Sequence, residues 1–371
     1  MRGGEDEAGS SIAIAGGGII GLATAWRLAQ LGWRVTVFDR GAIGGEASWA
    51  GAGMLSLGGE FVERSALASL AMESRQMYPW FISKLQNESG LVIDFQECGA
   101  LDLAYSDETA DELRYRAARQ KEIGIASKLV NARQVQTFWP RVRSDGLRQA
   151  RLYPDDAIVD PREAVTALTR ACRKRHVSIM QDCGVGKVTP ADESIRVVTE
   201  AGKRSFAAVV IAAGAWSGFI QVEGMAPLPP SEPVKGHLIA YQQPPQTCNT
   251  ILRHGHTYLL QRANGLLIAG TSIERKGFDV SISSRIAKEL SRRAAEILPH
   301  LAEIAPSYVW TGLRPASDAL HIGPWRGKRC YLAYGHYRNG ILLAPVTAER
   351  IAEEITANLG RRSFGSAAHH G

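Results

Sequence analysis

The feature that most constrains this chain lies near its start. A short apolar run, Ser11–Ala15, is broken by Gly16-Gly17-Gly18, and Gly21 follows inside Ile20–Leu31, where Ile20, Leu22, Ala25, Leu28 and Ala29 recur at helical spacing. Gly32 is a stop signal for that helix, and the β-branched and aromatic Arg34–Phe38 reads as a second strand ending at Asp39. Each glycine has its own task. Gly16 makes a tight turn, Gly18 lets a pyrophosphate approach the backbone at the positive end of the helix, and Gly21 lets helix and strand pack closely. Asp39, 18 residues beyond Gly21, is placed to accept hydrogen bonds from an adenosine ribose. A glycine-rich turn before a helix can be purely structural. Strand, helix, second strand and acid within one unit of about 30 residues predict a dinucleotide-binding α/β domain instead. The motif does not separate NAD from FAD.

The next segment narrows the choice. Residues Gly41–Gly59 are rich in Gly, Ala and Ser and too long for an ordinary connection, which marks them as functional. Within them, Gly44-Gly45-Glu46-Ala47-Ser48-Trp49-Ala50-Gly51-Ala52-Gly53-Met54-Leu55 offers small residues along which a cofactor can lie. Trp49, Met54 and Leu55 are costly to leave in water, which argues against a free surface loop.

Composition bounds the rest. With 371 residues and 45% hydrophobic content, the chain has material for two domains. The formal net charge of +6 raises nucleic acid as a partner, but Lys and Arg are scattered and no aromatic-interleaved basic run occurs, so none is expected. The five cysteines, Cys98, Cys172, Cys183, Cys248 and Cys330, are odd in number and form no CxxC pair. That disfavours a disulfide framework or a metal site and fits a reducing cytoplasm. No apolar run reaches the ~18 residues of a transmembrane span, and the N-terminus lacks a basic-then-apolar leader pattern. Residues 1–10 and 361–371 read as flexible tails.

Helices are predicted over Leu67–Glu88, Asp107–Ile123, Asn131–Phe138, Pro161–His176, Arg285 through Leu301, and Leu343–Leu359. Strands are predicted at Leu101–Ala104, Ser178–Met180, Gly186–Val188, Arg196–Thr199, Val209–Ala212, Val234–Tyr241, Thr257–Gln261, Leu266–Ala269, Val309–Leu313 and Arg329–Tyr334. The two sets interleave. Residues 11–80, 150–220 and 325–360 would form the dinucleotide domain, and 81–149 with 221–324 a strand-rich second domain.

At this point a resemblance is plain. Gly44–Leu55 resembles the flavin-embracing loop of the D-amino-acid oxidase superfamily, and is most similar to its glycine oxidase branch. Val209-Val210-Ile211-Ala212-Ala213-Gly214-Ala215-Trp216-Ser217 resembles that family's second flavin-contacting strand and turn. Pro233-Val234-Lys235-Gly236-His237 is similar to its entrance into the substrate domain. Thr311-Gly312-Leu313-Arg314-Pro315 and Gly335-His336-Tyr337-Arg338-Asn339-Gly340-Ile341-Leu342-Leu343-Ala344-Pro345 resemble its C-terminal motifs. The likeness runs from about Ser11 to Leu359.

The resemblance implies a Rossmann-like FAD-binding domain with a second, antiparallel-sheet substrate domain. It implies that Ile19, Ile20, Asp39, Arg40, Ala47, Ser48, Ala52, Gly53 and Met54 line FAD, that Val185 meets the adenine end, and that His336 through Leu342 reach the flavin ring beside a helix N-terminus. Arg314 matches the family's carboxylate-binding arginine and Arg338 a second arginine near substrate. Tyr258, His256 and Ile273 match pocket positions. The implied reaction is hydride transfer from Cα to flavin N5, hydrolysis of the imine to a 2-oxo acid, and reoxidation by O2 to hydrogen peroxide, with no obligatory catalytic base. A thiamine-pathway role, a small amino acid or amine as substrate, non-covalent FAD and a homo-oligomer, tetrameric in the family, are implied with it.

Bland readings stand beside these. Arg314 could pair on the surface, Arg338 could only brace the flavin loop, Tyr258 could be core, and His256, His336 and His321 could be packing or loop residues. The chain also departs from the family. Asp39 stands where Glu is commoner, Ile273 where glycine oxidases have Met, Gln261 for a Pro, and Tyr337 for a Phe. The shorter Asp39 bears on FAD against NAD; the other three, read as substrate-surrounding changes, leave the amine open among glycine, sarcosine, D-alanine and proline, because one methylene shifts selectivity by only ~1–3 kcal/mol. A dehydrogenase of the same fold, passing electrons to another acceptor, and a non-catalytic FAD-binding protein are the alternatives.

Overall fold

The computed structural model describes residues 11–224, 226–327 and 329–360, so both expected tails lie outside the described residues. Ser11–Ala15 sits inside a six-stranded sheet ordered His321–Pro324, Cys330–Tyr334, Ala208–Ile211, Ser11–Ala15, Arg34–Phe38, Ser178–Met180. All neighbours run parallel except the edge strand His321–Pro324. The continuous apolar runs of these strands suit burial on both faces. One face is covered by helices Ile19–Gln30, Ala66–Ser89, Pro161–Lys174 and Gly340–Leu359, which share a core. On the other, a small sheet contributes Val188, Ile195, Val197 and Phe206 against Ala13, Ala15 and Phe38.

Local chemistry sets several boundaries. Asp160 caps Pro161–Lys174 by accepting hydrogen bonds from the Arg162 and Glu163 amides, and Pro161, lacking an N–H, suits the first turn. Pro345 lies inside Gly340–Leu359 and cannot donate to the carbonyl four residues back. That carbonyl, Ile341 O, accepts instead from the Tyr78 hydroxyl, and the neighbouring Leu342 O accepts from Ser74 Oγ at 2.6 Å.

The second sheet has eight strands in the order Tyr308–Ala316, Glu232–Gln242, Leu266–Gly270, Thr257–Gln261, Ile251–His254, Ala100–Ala104, Gln149–Tyr153, Lys128–Val130. It is antiparallel apart from the pairing of Ile251–His254 with Ala100–Ala104. Ile239, Tyr241, Leu259 and Leu267 pack against Leu290, Ala294 and Ile297 of the helix Ser284–Ile297. Strand alternation turns Gly236, Leu238, Tyr258, Gly312 and Arg314 to the opposite face, which fronts a cavity.

The structure differs from the sequence reading in places. The helix expected from Arg285 to Leu301 stops at Ile297, and Pro299–Glu303 is a separate 3-10 turn, because Pro299 cannot continue the ladder. Strands Gln149–Tyr153, Ala157–Val159 and Ile251–His254 were not anticipated. By sheet membership, 149–153 belong with the large sheet and 321–324 with the six-stranded one.

Candidate active site

An elongated cavity of about 880 Å³ runs from the first βαβ turn to the face of the large sheet. At its first end Gly16 has φ +111°, and a Cβ there would stand 2.3 Å from Ala212 O. A Cβ on Gly21 would stand 1.9 Å from Gly16 O, so helix and turn meet only because residue 21 is glycine. A Cβ on Gly18 would meet one atom, Ser48 Oγ, so this backbone lies open to the cavity. Ser48 Oγ also accepts from the Ile19 amide at 3.0 Å, tying the small-residue segment to the helix N-terminus. Asp39 accepts from the Gly17 amide at 2.6 Å and the Gly41 amide at 2.9 Å, while burial pushes its carboxyl above the usual range. Arg40 lies 3.6 Å over the Trp216 ring and pairs with Glu46. Val185 and Gly214 complete this end.

Midway, Ala47–Ala50 forms one helical turn and Met54–Leu55 a short strand, giving the small-residue segment a fixed path. The buried Arg262 holds it, pairing with Asp160 at 3.0 Å and donating to Gly51 O. Trp310 Nε1 donates to Ala50 O. Gly340 and Ile341, at the N-terminus of the closing helix, also line the cavity, together with His336, Tyr337, Arg338 and Asn339. His336 is buried and hydrogen-bonds Thr347, and desolvation pushes its imidazole down to about 3, so it is neutral. Leu342 points into the core rather than the cavity.

The far end carries the polar groups. Arg314 lies across Gly236, where a Cβ would stand 2.2 Å from its Nη2, and Tyr258 lies across Gly270, where a Cβ would stand 2.5 Å from its hydroxyl. Arg314 donates to Thr271 Oγ1 at 2.6 Å and Ser272 O at 3.3 Å. Among the described residues it has no carboxylate partner. Desolvation raises the Tyr258 phenol to about 12, against the lowering effect of Arg314. His256 and Ile273 are exposed at the mouth, Ile273 at 58%, so Ile273 edges the opening rather than narrowing an enclosed pocket. Gln261 does not line the cavity. It is buried in the large sheet, donating to Pro244 O and accepting from the Cys248 amide, which removes it from the substrate-surrounding changes.

An extended cradle of small residues, a helix N-terminus at each cofactor-facing turn and an acid at the ribose position fit FAD. A family model described as FAD dependent oxidoreductase (DAO) matches residues 11–354. The chain belongs to that family. This FAD-dependent oxidoreductase, of the amino-acid oxidase type, is 32% identical over 352 residues to a glycine oxidase of Pseudomonas aeruginosa, covering 92% of this chain and 93% of the relative. It superposes on the crystal structure of glycine oxidase from Geobacillus kaustophilus with a TM-score of 0.88 and 29% identity, covering 97% and 98% of the two chains. It superposes on L-proline dehydrogenase from P. horikoshii with a TM-score of 0.82 and 25% identity, covering 94% and 93%.

Sequence reasoning passed over three contributors to this oxidoreductase's cavity. Glu60 pairs with Arg338 at 2.7 Å, so that arginine is not a free guanidinium. Arg253 lines the cavity and is clamped by Asp102 and Asp156. Thr271 orients Arg314. An acid closing a stretch of Gly, Ala and Ser was the one available signal for Glu60.

Proposed function

We propose that the protein oxidises glycine or a similar small amino acid or amine, with O2 as final acceptor. The observation that carries this is Arg314. A guanidinium facing the cofactor cavity, bonded among the described residues only to neutral acceptors, is a binding site for one carboxylate, which it can grip through two N–H groups. Tyr258, protonated at ordinary pH, donates to the same carboxylate. Together they hold the substrate Cα toward the wall formed by Tyr337 to Ile341. When bound, FAD supplies the hydride acceptor and, through O2, yields hydrogen peroxide. Asp39 would hold its ribose end, Gly16, Gly18 and Ile19 its pyrophosphate, and Ala47–Met54 with Gly340–Ile341 its ring. Hydrolysis of the imine in water gives the 2-oxo acid and releases ammonia or the amine, whereas imine that escapes hydrolysis is available for thiazole formation in thiamine synthesis.

Non-covalent FAD is part of the proposal. All five cysteines are free, none lines the cavity, and the Cys330 thiol is buried in the sheet and pushed up to about 12. A cytoplasmic setting follows from the same cysteine usage. Among the described residues no helix is long and apolar enough to cross a membrane.

The test is an anaerobic absorbance spectrum of the FAD-loaded protein before and after glycine, followed by air. Bleaching that returns in air with peroxide supports the oxidase; bands indifferent to glycine, sarcosine, D-alanine and proline alike would sink it. The likeness to L-proline dehydrogenase favours one second reading, a dehydrogenase with another electron acceptor, and bleaching without return in air selects it.

A further inference from the structure

Two of the arginines that line the cavity, Arg314 and Arg338, are in different states. Arg314 has no carboxylate partner among the described residues, whereas Arg338 Nε lies 2.7 Å from Glu60 Oε2. All three residues line the same space. The Glu60 side chain is 14% exposed and that of Arg338 49%, so the acid is the deeper of the pair. Glu60 is held in place through the backbone before it. Asp156 accepts from the Leu57 and Gly58 amides and from Ser56 Oγ, and Arg253 in turn clamps Asp156. Gln120 Nε2 donates to the carbonyls of Gly58 and Phe61, on either side of Glu60. A half-buried acid on a fixed turn is a built feature of the wall.

We infer that Glu60 is a specificity-determining residue that masks Arg338 and confines the site to amines bearing a single carboxylate. One carboxylate goes to Arg314. A second, on an N-carboxymethyl group or a side chain, needs the guanidinium that Glu60 already occupies, and it meets the Glu60 charge on approach. Without Glu60, Arg338 becomes a second carboxylate site. This rests on the oxidase reading for the anchor at Arg314, but binding tests it without turnover.

The experiment titrates FAD-loaded protein with methoxyacetate and diglycolate, unreactive ligands of the same skeleton with one and two carboxylates, read by perturbation of flavin absorbance. The native protein binds diglycolate no more tightly than methoxyacetate. Glu60→Gln shifts the ratio of dissociation constants toward diglycolate by about tenfold or more, the scale of one charge-assisted pair. Adding Arg338→Met to Glu60→Gln returns the ratio. An unchanged ratio in Glu60→Gln overturns the inference. Should that variant fail to hold FAD, Arg338→Met alone decides: the uncovered Glu60 charge weakens diglycolate relative to methoxyacetate, and an unchanged ratio overturns the inference. Methoxyacetate binding that ignores Arg314→Ala would sink the carboxylate anchor instead, while the ratio still tests Glu60 on its own.

Discussion

Replacing Arg314 separates anchoring from folding. Arg314→Ala removes a charge-assisted grip of about 1.5–3 kcal/mol, so apparent KM for the amine rises roughly 10- to 150-fold while the flavin spectrum persists. Arg314→Lys keeps the charge but not the fork and recovers part of the loss. Unchanged kinetics in Arg314→Ala would remove it from the substrate site. Tyr258→Phe, which deletes one donor, costs about tenfold in KM or less; a larger loss in kcat than in KM would give the hydroxyl a role in the chemistry. The place of these residues on the cavity was legible because each sits in a local motif. Glu60 was not, because its meaning depends on Arg338 at the far end of the chain. Gln261 was misplaced for a related reason: a strand neighbour of pocket residues need not face the pocket, and this one faces Pro244 and Cys248.

The closing helix shows how one element depends on another. Pro345 frees the Ile341 carbonyl, and Tyr78 from Ala66–Ser89 caps it. Tyr78→Phe leaves a buried acceptor unpaired and costs about 1–3 kcal/mol, read as a lower midpoint in urea unfolding. An unchanged midpoint would mean the carbonyl finds another donor. Ile341 lines the cavity, so the same variant is expected to loosen FAD. Helix starts were readable where the cap chemistry is local, as at Asp160-Pro161. The end of Ser284–Ile297 was misread because apolar periodicity continues through Leu298 and Leu301 although Pro299 breaks the hydrogen-bond ladder. Gln149–Tyr153 went unseen because Gln149 and Arg151 dilute its strand pattern.

At the scale of the whole molecule, acid sensitivity has a defined window. His336 titrates near 3 in the folded chain and about 6.5 in an unfolded one. Between those values the unfolded chain binds the extra proton, so stability rises with pH and is lost as pH falls from about 6.5 toward 3. From pH 7 to pH 5 the native protein is expected to lose about 2 kcal/mol more than His336→Gln, compared by urea midpoints. Equal losses would show that His336 is not buried neutral. The overall α/β architecture was readable from the βαβ opening and the later strand-rich block. The membership of individual strands was not, since pairings such as Ile251–His254 with Ala100–Ala104 join segments far apart in sequence.

Gly236 and Gly270 contribute no side chain, yet Arg314 and Tyr258 rest where their Cβ atoms would be. Mutant libraries aimed at substrate-facing side chains would skip both positions. Gly236→Ala leaves every recognised contact group in the chain but lifts the guanidinium off the strand. It is therefore expected to reorder preferences among amines of different length, and a substrate panel that keeps its native order would show the arginine re-seats itself. A redesign of this pocket has its finest adjustment at the two places where the protein has no side chain to change.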